Sequence, residues 1–309
     1  MSPDNGNSNK ASGERAAPAS VGYAATGAGT VSYAAVGSPS STATPLIGVH
    51  ASARSLDDFS EILGHLSGPT QRIAAAVDLP GYGSSPPQER DLTHDDVGDM
   101  LVSLADHLGL DRFALVGTGL GTLPCINAAA RHPDRVEALV NIDPYLFKEP
   151  LIGLARQGNF TLHFNKEFEH PPSGAHFQEL WERRLPFAPP ELNTRLLLSH
   201  LQFQLKGDIS LRERGVSALY EMIAPLFDWT LAATIQGKVL NLHGIETLRV
   251  LDLFGFHASD QVPETDALFS NVTSAQVPGA SLWALNLMPA EMAALITEFV
   301  DGSPSVEAD

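Results

Sequence analysis

The residues whose types and spacing could do chemistry lie in short loops, each directly after an apolar run. Gly119 and Leu120 lie in the glycine-rich stretch Val116–Gly121, and Ser52 follows another apolar run. Backbone N–H groups ahead of a helix attract a developing negative charge. The N–H group of Leu120 is therefore predicted to bind a carbonyl or enolate oxygen. The alternative is that Leu120 simply begins a packed helix.

Asp143 and His50 are the candidate acid–base groups. Asp143 ends a predicted strand, and ligands bind at the carboxyl ends of strands in open α/β sheets. His50 ends another, and its alternative role is to hydrogen-bond the following loop. In that loop Arg54 could bind a substrate carboxylate or phenolate bidentately, with a surface position as the main alternative. Thr118 is predicted to make a minor polar contact.

Aromatic and histidine side chains recur between positions 146 and 235. Some of them could line an apolar pocket, and a histidine among them could act as an acid or base. Their helical spacing is equally typical of a packed core. The histidine spacings match no common metal-ligand set, so no metal is predicted. The candidates for pocket lining are Trp181, His176 and Phe177.

Continuous apolar runs predict the strands that carry these loops, because parallel strands are covered on both faces. Helical spacing between the runs predicts crossover helices, and the alternation predicts an α/β fold with a mostly parallel sheet. The predicted strands are 45–50, 72–79, 113–117, 136–143, 238–243 and 274–277, after a hairpin within 21–36. The predicted helices are 56–66, 93–108 with Thr93 as N-cap, 120–131 and 289–300.

The strand and helix alternation stops after Asp143 for about 90 residues, where apolar positions recur at helical spacing. This predicts a helical insertion. The resulting organisation is a disordered leader at 1–20, a core of 21–145 and 236–301, a helical cap at 146–235, and an acidic tail at 302–309.

Charge and composition exclude several function classes. The chain has 19 Lys and Arg against 36 Asp and Glu, a formal charge of −17, which repels nucleic acids and anionic membranes. The single cysteine, Cys125, excludes an internal disulfide. The first residues lack the apolar segment of a secretory signal. We expect a cytoplasmic protein whose partner is a small-molecule ligand, without a cofactor, nucleic acid or membrane; a homodimer is left open.

Five stretches stand in an order and spacing that are hard to obtain by chance: His50–Ser55, Asp78–Ser85, Val116–Gly121, Arg131–Val136 and Val277–Ala280. In these stretches the chain resembles the α/β-hydrolase superfamily, in the branch that has a helical cap over the active site. The resemblance covers roughly 21–145 and 236–301. It implies the α/β-hydrolase fold with an inserted helical cap. It also implies a polar hole in which the N–H groups of Leu120 and of Ala51 or Ser52 bind a carbonyl or enolate oxygen.

The resemblance also implies where a catalytic triad would lie, and all three positions are replaced. The nucleophile of a G-x-S-x-G turn falls on Gly119, which has no side chain that could attack a substrate. The acid position after the seventh strand holds Thr247, and the base position near the end holds Leu282. Glycine relaxes the turn, because it adopts a positive φ without strain.

A preserved frame with an emptied triad predicts a non-hydrolytic, cofactor-independent enzyme, since serine-independent members of the superfamily include lyases and cyclases. The expected reaction is a cyclisation, an isomerisation or a carbon–carbon lyase step on a small apolar or aromatic metabolite of secondary metabolism. Two alternatives stay open. One is a ligand-binding pseudoenzyme, a sensor or carrier; the other is a hydrolase with relocated groups, in which Asp143 or a cap histidine activates water.

Overall fold

The computed structural model of the chain describes residues 19–51, 54–88, 90–144, 226–253, 258–281 and 283–302. The strands in these residues are β1 (Ser20–Thr26), β2 (Gly29–Val36), β3 (Leu46–Val49), β4 (Ala74–Val77), β5 (Phe113–Thr118), β6 (Val136–Ile142), β7 (Lys238–Gly244) and β8 (Val272–Val277). They form one sheet in the order β1-β2-β4-β3-β5-β6-β7-β8. β2 is antiparallel to β1 and β4, and the other neighbours are parallel. The predicted α/β class with a mostly parallel sheet is confirmed.

The α-helices of the described residues connect and cover these strands. They are α1 (Leu63–Ser67), α2 (His94–His107), α3 (Thr122–Arg131), α4 (Ile245–Leu253), α5 (Ala258–Asp266), α6 (Ala284–Leu287) and α7 (Pro289–Asp301). Thr93 caps α2 as predicted: Thr93 Oγ1 accepts the Asp96 N–H at 3.1 Å, and the Asp96 carboxylate accepts the Thr93 N–H at 2.8 Å. This reciprocal capping box fixes where the helix begins.

Two predicted helices begin differently in the structure. The prediction of one helix over 56–66 is wrong, because the chain forms a 3₁₀ turn, Leu56–Phe59, and then α1. The Ser60 hydroxyl donates to the Asp57 carbonyl at 2.9 Å and competes with the helical hydrogen-bond pattern. The helix predicted from Leu120 starts as a 3₁₀ turn, Gly119–Gly121, before α3.

The core has two layers, one on each face of the sheet. Leu115 and its neighbours on one face pack with α2 and α3, whereas Val116 and its neighbours on the other face pack with α1 and α7. Because side chains alternate along a strand, the fully buried β5 contributes side chains to both layers. The sheet is thereby fixed from both sides, and its carboxyl end is held at a defined position.

The predicted leader, helical cap and tail lie largely outside the described residues. At their borders β1 already begins at Ser20. Phe227, Ala232 and Ile235, which the sequence prediction included in the cap, are buried in the core layer with α2 and α3. In the part of the chain that the structure describes, no helix combines the length and apolarity needed to cross a bilayer.

An ion pair between a buried arginine and a partly exposed carboxylate joins the segment just before β4 to the last turn of α7. Arg72 is only 2% exposed and donates to both carboxylate oxygens of Asp301, at 2.9 and 2.5 Å. It also donates to the Thr44 carbonyl at 3.3 Å. A buried guanidinium needs such a partner, because removing its counter-ion leaves a charge away from water.

Asp301→Ala is therefore expected to lower the free energy of unfolding by about 2 to 3 kcal/mol. Chemical denaturation measures this loss. Glu298→Ala on the same helix is the matched control, and we expect a change within about 0.5 kcal/mol. Equal stability of the two variants would contradict the assigned role of the Arg72–Asp301 pair.

Candidate active site

The turn from β5 to α3 approaches the end of β3 so closely that it requires glycine. A Cβ on Gly121 would come within 2.4 Å of the Val49 carbonyl oxygen, and a Cβ on Gly117 within 2.7 Å of Thr122 Cα. Gly119 has φ +51°, in the left-handed region that glycine adopts readily. The backbone of a sharp strand-to-helix turn is therefore present without a side chain at its central residue.

Leu120 begins the helical segment that follows this turn. Its N–H lies in the first turn of Gly119–Gly121, where a helix leaves backbone donors without intrahelical partners. The Thr122 hydroxyl donates to the Gly119 carbonyl at 2.8 Å and steadies the turn. Thr118, the last residue of β5, is buried beside it. The turn can thus present a backbone donor to an oxygen, as the sequence predicts.

His50 is fully buried at the end of β3, and both of its ring nitrogens are used. Nε2 accepts the Leu79 N–H at 3.1 Å, and Nδ1 lies 2.8 Å from the Ala51 carbonyl, to which it donates. Burial lowers the pKa of His50 to about 4, against a smaller raising effect of the Ala51 hydrogen bond. This geometry favours the predicted alternative, in which a neutral His50 holds the loop after β3.

The loop after β3 places its first amide on a carboxylate. The Ala51 N–H donates to Asp58 Oδ2 at 3.1 Å, so this amide is already engaged and is not the oxyanion donor that the sequence suggested as one option. Burial raises the pKa of Asp58 to about 6, against the lowering effect of the Arg54 charge. The other option, Ser52, lies outside the described residues.

Arg54 is buried, so the expectation that it lies on the surface is wrong. Its Nε pairs with Asp58, its Nη2 donates to Asn286 Oδ1 at 3.2 Å, and its guanidinium carbon lies 3.8 Å from the centre of the Trp283 ring. Arg54 therefore joins the loop after β3 to the segment before α7. The pairing supports a structural brace more than a binding site for a substrate anion.

Asp143 directly follows β6 and has φ +50°, an uncommon conformation for a residue with a side chain. Its Oδ1 accepts the Gly244 N–H at 2.7 Å, and its Oδ2 accepts the Thr247 hydroxyl at 2.8 Å. Burial raises the pKa of Asp143 to about 6, although both hydrogen bonds and the His243 charge oppose it. Proton transfer near neutral pH is the chemistry that such a carboxyl group can do.

A hydrogen bond joins Thr247, at the predicted acid position, to Asp143. Thr247 occupies the position expected for an acid after β7, but its hydroxyl is bonded to a carboxylate that comes from β6. Register pairs Thr118 with Ile142, so Gly119 and Asp143 each follow a paired residue on neighbouring strands. Neighbouring strands lie about 4.8 Å apart, which brings the bare turn and the carboxylate to the same end of the sheet.

Sequence reasoning missed a second polar group beside Asp143, formed by His243 and Asp266. The sequence contains an indirect sign of this group, because Asn141 and Asn241 interrupt apolar runs that are predicted to be buried on both faces. A buried amide needs hydrogen-bond partners, and these partners are each other and Asp266.

Several predicted site residues lie outside the described residues. These are Ser52, Leu282, which the sequence predicts at the replaced base position, and the pocket candidates Trp181, His176 and Phe177. Among the residues that are described, no cluster of three or more His, Cys, Asp or Glu side chains is arranged to hold a metal ion.

A model of the family described as alpha/beta hydrolase fold matches residues 44–206, just over half of the chain. A carboxylesterase structure from Bacillus subtilis superposes with a TM-score of 0.66 over 93% of each chain, at 19% identity. At that identity the likeness concerns the fold alone.

Two relatives match at the sequence level. A dihydrolipoyllysine-residue acetyltransferase component of an acetoin cleaving system, from Pseudomonas putida, is 30% identical over 56% of this chain and 44% of its own. The sn-1-specific diacylglycerol lipase ABHD11 of Danio rerio is 26% identical over 83% of this chain and 78% of its own. The match therefore spans less than half of the acetyltransferase component.

Asp143→Asn is expected to raise the free energy of unfolding at pH 7.5 by about 1 to 2 kcal/mol, because the variant buries no charge and asparagine tolerates a positive φ better. The pKa of Asp143 rises on folding from 3.8 to about 6. Ionised Asp143 therefore costs stability above about pH 6, and this cost disappears below about pH 4.

Urea unfolding of the wild type and of Asp143→Asn at pH 7.5 and at pH 4 measures the difference in the free energy of unfolding at each pH. Asp134→Asn, an exposed aspartate, is the matched control and should change neither. A loss of stability in Asp143→Asn at pH 7.5 would contradict this account of Asp143.

Proposed function

The chain belongs to the α/β-hydrolase fold family, and on that premise we propose that it catalyses a non-hydrolytic, cofactor-independent proton-transfer reaction. The substrate is a small, apolar or aromatic metabolite with a carbonyl group, and the outcome is an isomerisation, a cyclisation or a carbon–carbon lyase step. The observation that carries the proposal is the buried Asp143 carboxylate beside a turn whose central residue, Gly119, has no side chain.

Asp143 acts as the general base. Its carboxylate takes a proton from the carbon next to the substrate carbonyl, and the same group returns that proton to a different atom of the intermediate. A base works best when its pKa lies near the working pH, and burial brings the pKa of Asp143 to about 6. No net proton or electron is gained or lost in this sequence.

The turn at Gly119 supplies the electrostatic part of the reaction. The electron pair left by the proton moves onto the carbonyl oxygen, and the Leu120 N–H at the start of the helical segment donates to that oxygen. Because Gly119 has only hydrogen at the position of a nucleophile, no covalent acyl-enzyme forms there. The room that a serine side chain would fill is left for the substrate.

A hydrolase that uses water directly is the second candidate, because one relative is named as a diacylglycerol lipase and lipases cleave esters with water. In that candidate Asp143 removes a proton from water, and the resulting hydroxide attacks an ester carbonyl. The tetrahedral intermediate then breaks the bond to the alcohol oxygen, and the alcohol leaves with the proton that Asp143 took up. In both candidates Asp143 is the base, but the proton comes from a substrate carbon in the first and from water in the second. Deuterium exchange at carbon reports the first reaction, and ¹⁸O incorporation from water reports the second.

The test is proton exchange in D₂O with a panel of small aliphatic and aromatic ketones and 1,3-dicarbonyl compounds, followed by NMR. We expect exchange at the carbon next to the carbonyl, with a rate that rises with pH through about 6 because the base must be ionised. Asp143→Asn should lower that rate by about 10² to 10⁴-fold. Asp134→Asn is the matched control and should keep the rate.

A panel of nitrophenyl esters in H₂¹⁸O separates the alternatives. Asp143-dependent ester cleavage with label in the product acid would favour the second candidate. Saturable binding without exchange or cleavage would indicate a carrier or sensor and would refute both. Ester cleavage by the wild type that Gly119→Ser does not raise would contradict the inference that the turn is catalytically empty.

Thr247→Val is expected to move the midpoint of the pH–rate profile up by about 0.5 to 1 unit, because it removes a hydrogen bond to the ionised form of Asp143. Thr247→Ser keeps the hydroxyl and should leave the midpoint in place. If Thr247→Val has normal stability and an unchanged midpoint, the base that the pH–rate profile reports is not Asp143.

A further inference from the structure

The turn that follows β8 contacts the start of the crossover that supplies both hydrogen bonds to Asp143. Gly244, the last residue of β7, pairs in register with Val277, the last residue of β8. Beyond Val277, the Ala280 carbonyl accepts the Glu246 N–H at 2.9 Å. A helix leaves its first N–H groups without intrahelical partners, so this carbonyl supplies a partner that α4 lacks. The turn after β8 therefore fixes where α4 begins.

The Ala280 carbonyl is itself held in place by its own turn. The Ala280 N–H donates to the Val277 carbonyl at 3.2 Å, and Gly279 between them has φ +74°. The side chains of Val277 and Ala280 are buried in the core layer that packs with α1 and α7. Because a packed interior yields little, this carbonyl cannot move away without disturbing the core.

The approach of this carbonyl to Gly244 leaves no room for a side chain. A Cβ on Gly244 would lie 2.6 Å from the Ala280 carbonyl oxygen and 3.1 Å from Thr247 Oγ1. Contacts this short force neighbouring atoms to shift. Gly244 is not among the glycines with positive φ, so alanine could adopt its backbone conformation. The close contact, and not the conformation, requires glycine here.

Both hydrogen bonds to the Asp143 carboxylate depend on this contact. The Gly244 N–H donates to Oδ1 at 2.7 Å, and the Thr247 hydroxyl donates to Oδ2 at 2.8 Å. A Cβ on Gly244 would press directly on Thr247 Oγ1, and its contact with the Ala280 carbonyl would push the Gly244 peptide away. Groups in one hydrogen-bond network respond together. A single methyl group would therefore disturb both donors.

We propose that Gly244 is a positioning residue for the base: its lack of a side chain lets the Ala280 carbonyl and the Thr247 hydroxyl close around it, which aims two donors at Asp143. This inference rests on the proposed role of Asp143 as the base. Each carboxylate oxygen keeps a lone pair for the substrate proton, because each accepts one of these two hydrogen bonds. The turn Val277–Ala280 has no titratable side chain, yet it sets the geometry of a carboxylate that follows β6.

NMR titration of the full chain without substrate tests the arrangement, with the Asp143 carboxyl signal assigned by its loss in Asp143→Asn. In Gly244→Ala the pH midpoint of Asp143 should rise by about 1 to 2 units, because both hydrogen bonds to the ionised form weaken. Gly27→Ala is the matched control. Gly27 is exposed, and a Cβ there meets no heavy atom within 4 Å, so the Asp143 midpoint should stay in place.

A double-mutant cycle with Thr247→Val separates a shared effect from two independent ones. If a Cβ on Gly244 displaces the Thr247 hydroxyl, Thr247→Val should raise the Asp143 midpoint by less in Gly244→Ala than in wild type. Full additivity of the two shifts would overturn the proposal. An Asp143 midpoint that is the same in wild type and Gly244→Ala would overturn it as well.

The wild-type protein offers a measurement that does not depend on the folding of Gly244→Ala. The Gly244 amide proton should move downfield as Asp143 ionises, with the same midpoint, because its acceptor becomes charged. The Glu246 amide proton should exchange slowly with solvent, since the Ala280 carbonyl accepts it. A Gly244 resonance that ignores the titration, or a Glu246 amide that exchanges as in an unfolded chain, would contradict the proposed geometry.

Proton exchange on the ketone panel shows whether this geometry matters for turnover. Gly244→Ala should lower kcat for exchange by about 10 to 10²-fold and leave KM within about twofold, because the base is displaced while substrate binding is kept. A rise in KM with unchanged kcat would refute the positioning role. A shifted Asp143 midpoint without exchange on any ketone would overturn the proposed function alone, whereas exchange with an unshifted midpoint would overturn only this inference.

Discussion

A carboxylate taken out of water must replace its lost hydration, and the Asp143 carboxylate does so with one backbone amide and one hydroxyl. Both donors come from the beginning of the next crossover, Gly244 and Thr247. This arrangement requires β6 and β7 to end at the same level and Asp143 to take a positive φ. The burial is only partly compensated, and the residual cost is what raises the pKa of the group toward neutrality.

Two neighbouring segments are fixed in different ways: the loop after β3 by polar side chains, and the turn after β5 by close backbone contacts. His50 and Asp58 accept hydrogen bonds from backbone N–H groups, and Arg54 pairs with Asp58. These contacts fix the loop after β3. At the β5 turn, by contrast, close backbone contacts at Gly117 and Gly121 fix the geometry without any side chain at Gly119. Rigid supports beside a turn whose first N–H has no intrahelical partner are compatible with a preorganised site.

The strands and the position of Asp143 could be predicted from the sequence, because parallel strands leave continuous apolar runs and ligand groups follow their carboxyl ends. The contacts of Arg54 could not, since its partner Asn286 is 232 residues away in the chain. Thr247 could be placed after β7, but not its bond to a carboxylate from another strand. The break before α1 also escaped prediction, because the apolar spacing of 56–66 does not distinguish a 3₁₀ turn followed by a short helix from one continuous helix.

The ion pair between Arg72 and Asp301 has a consequence for folding during synthesis on the ribosome. The two residues are separated by 229 positions. When β1 to β6 have left the ribosome, Arg72, which is buried in the folded protein, therefore still lacks its counter-ion. Amino-terminal segments usually fold first during translation. The ion pair between Arg72 and Asp301 can form only after α7 has been synthesised, so this corner of the sheet is completed last.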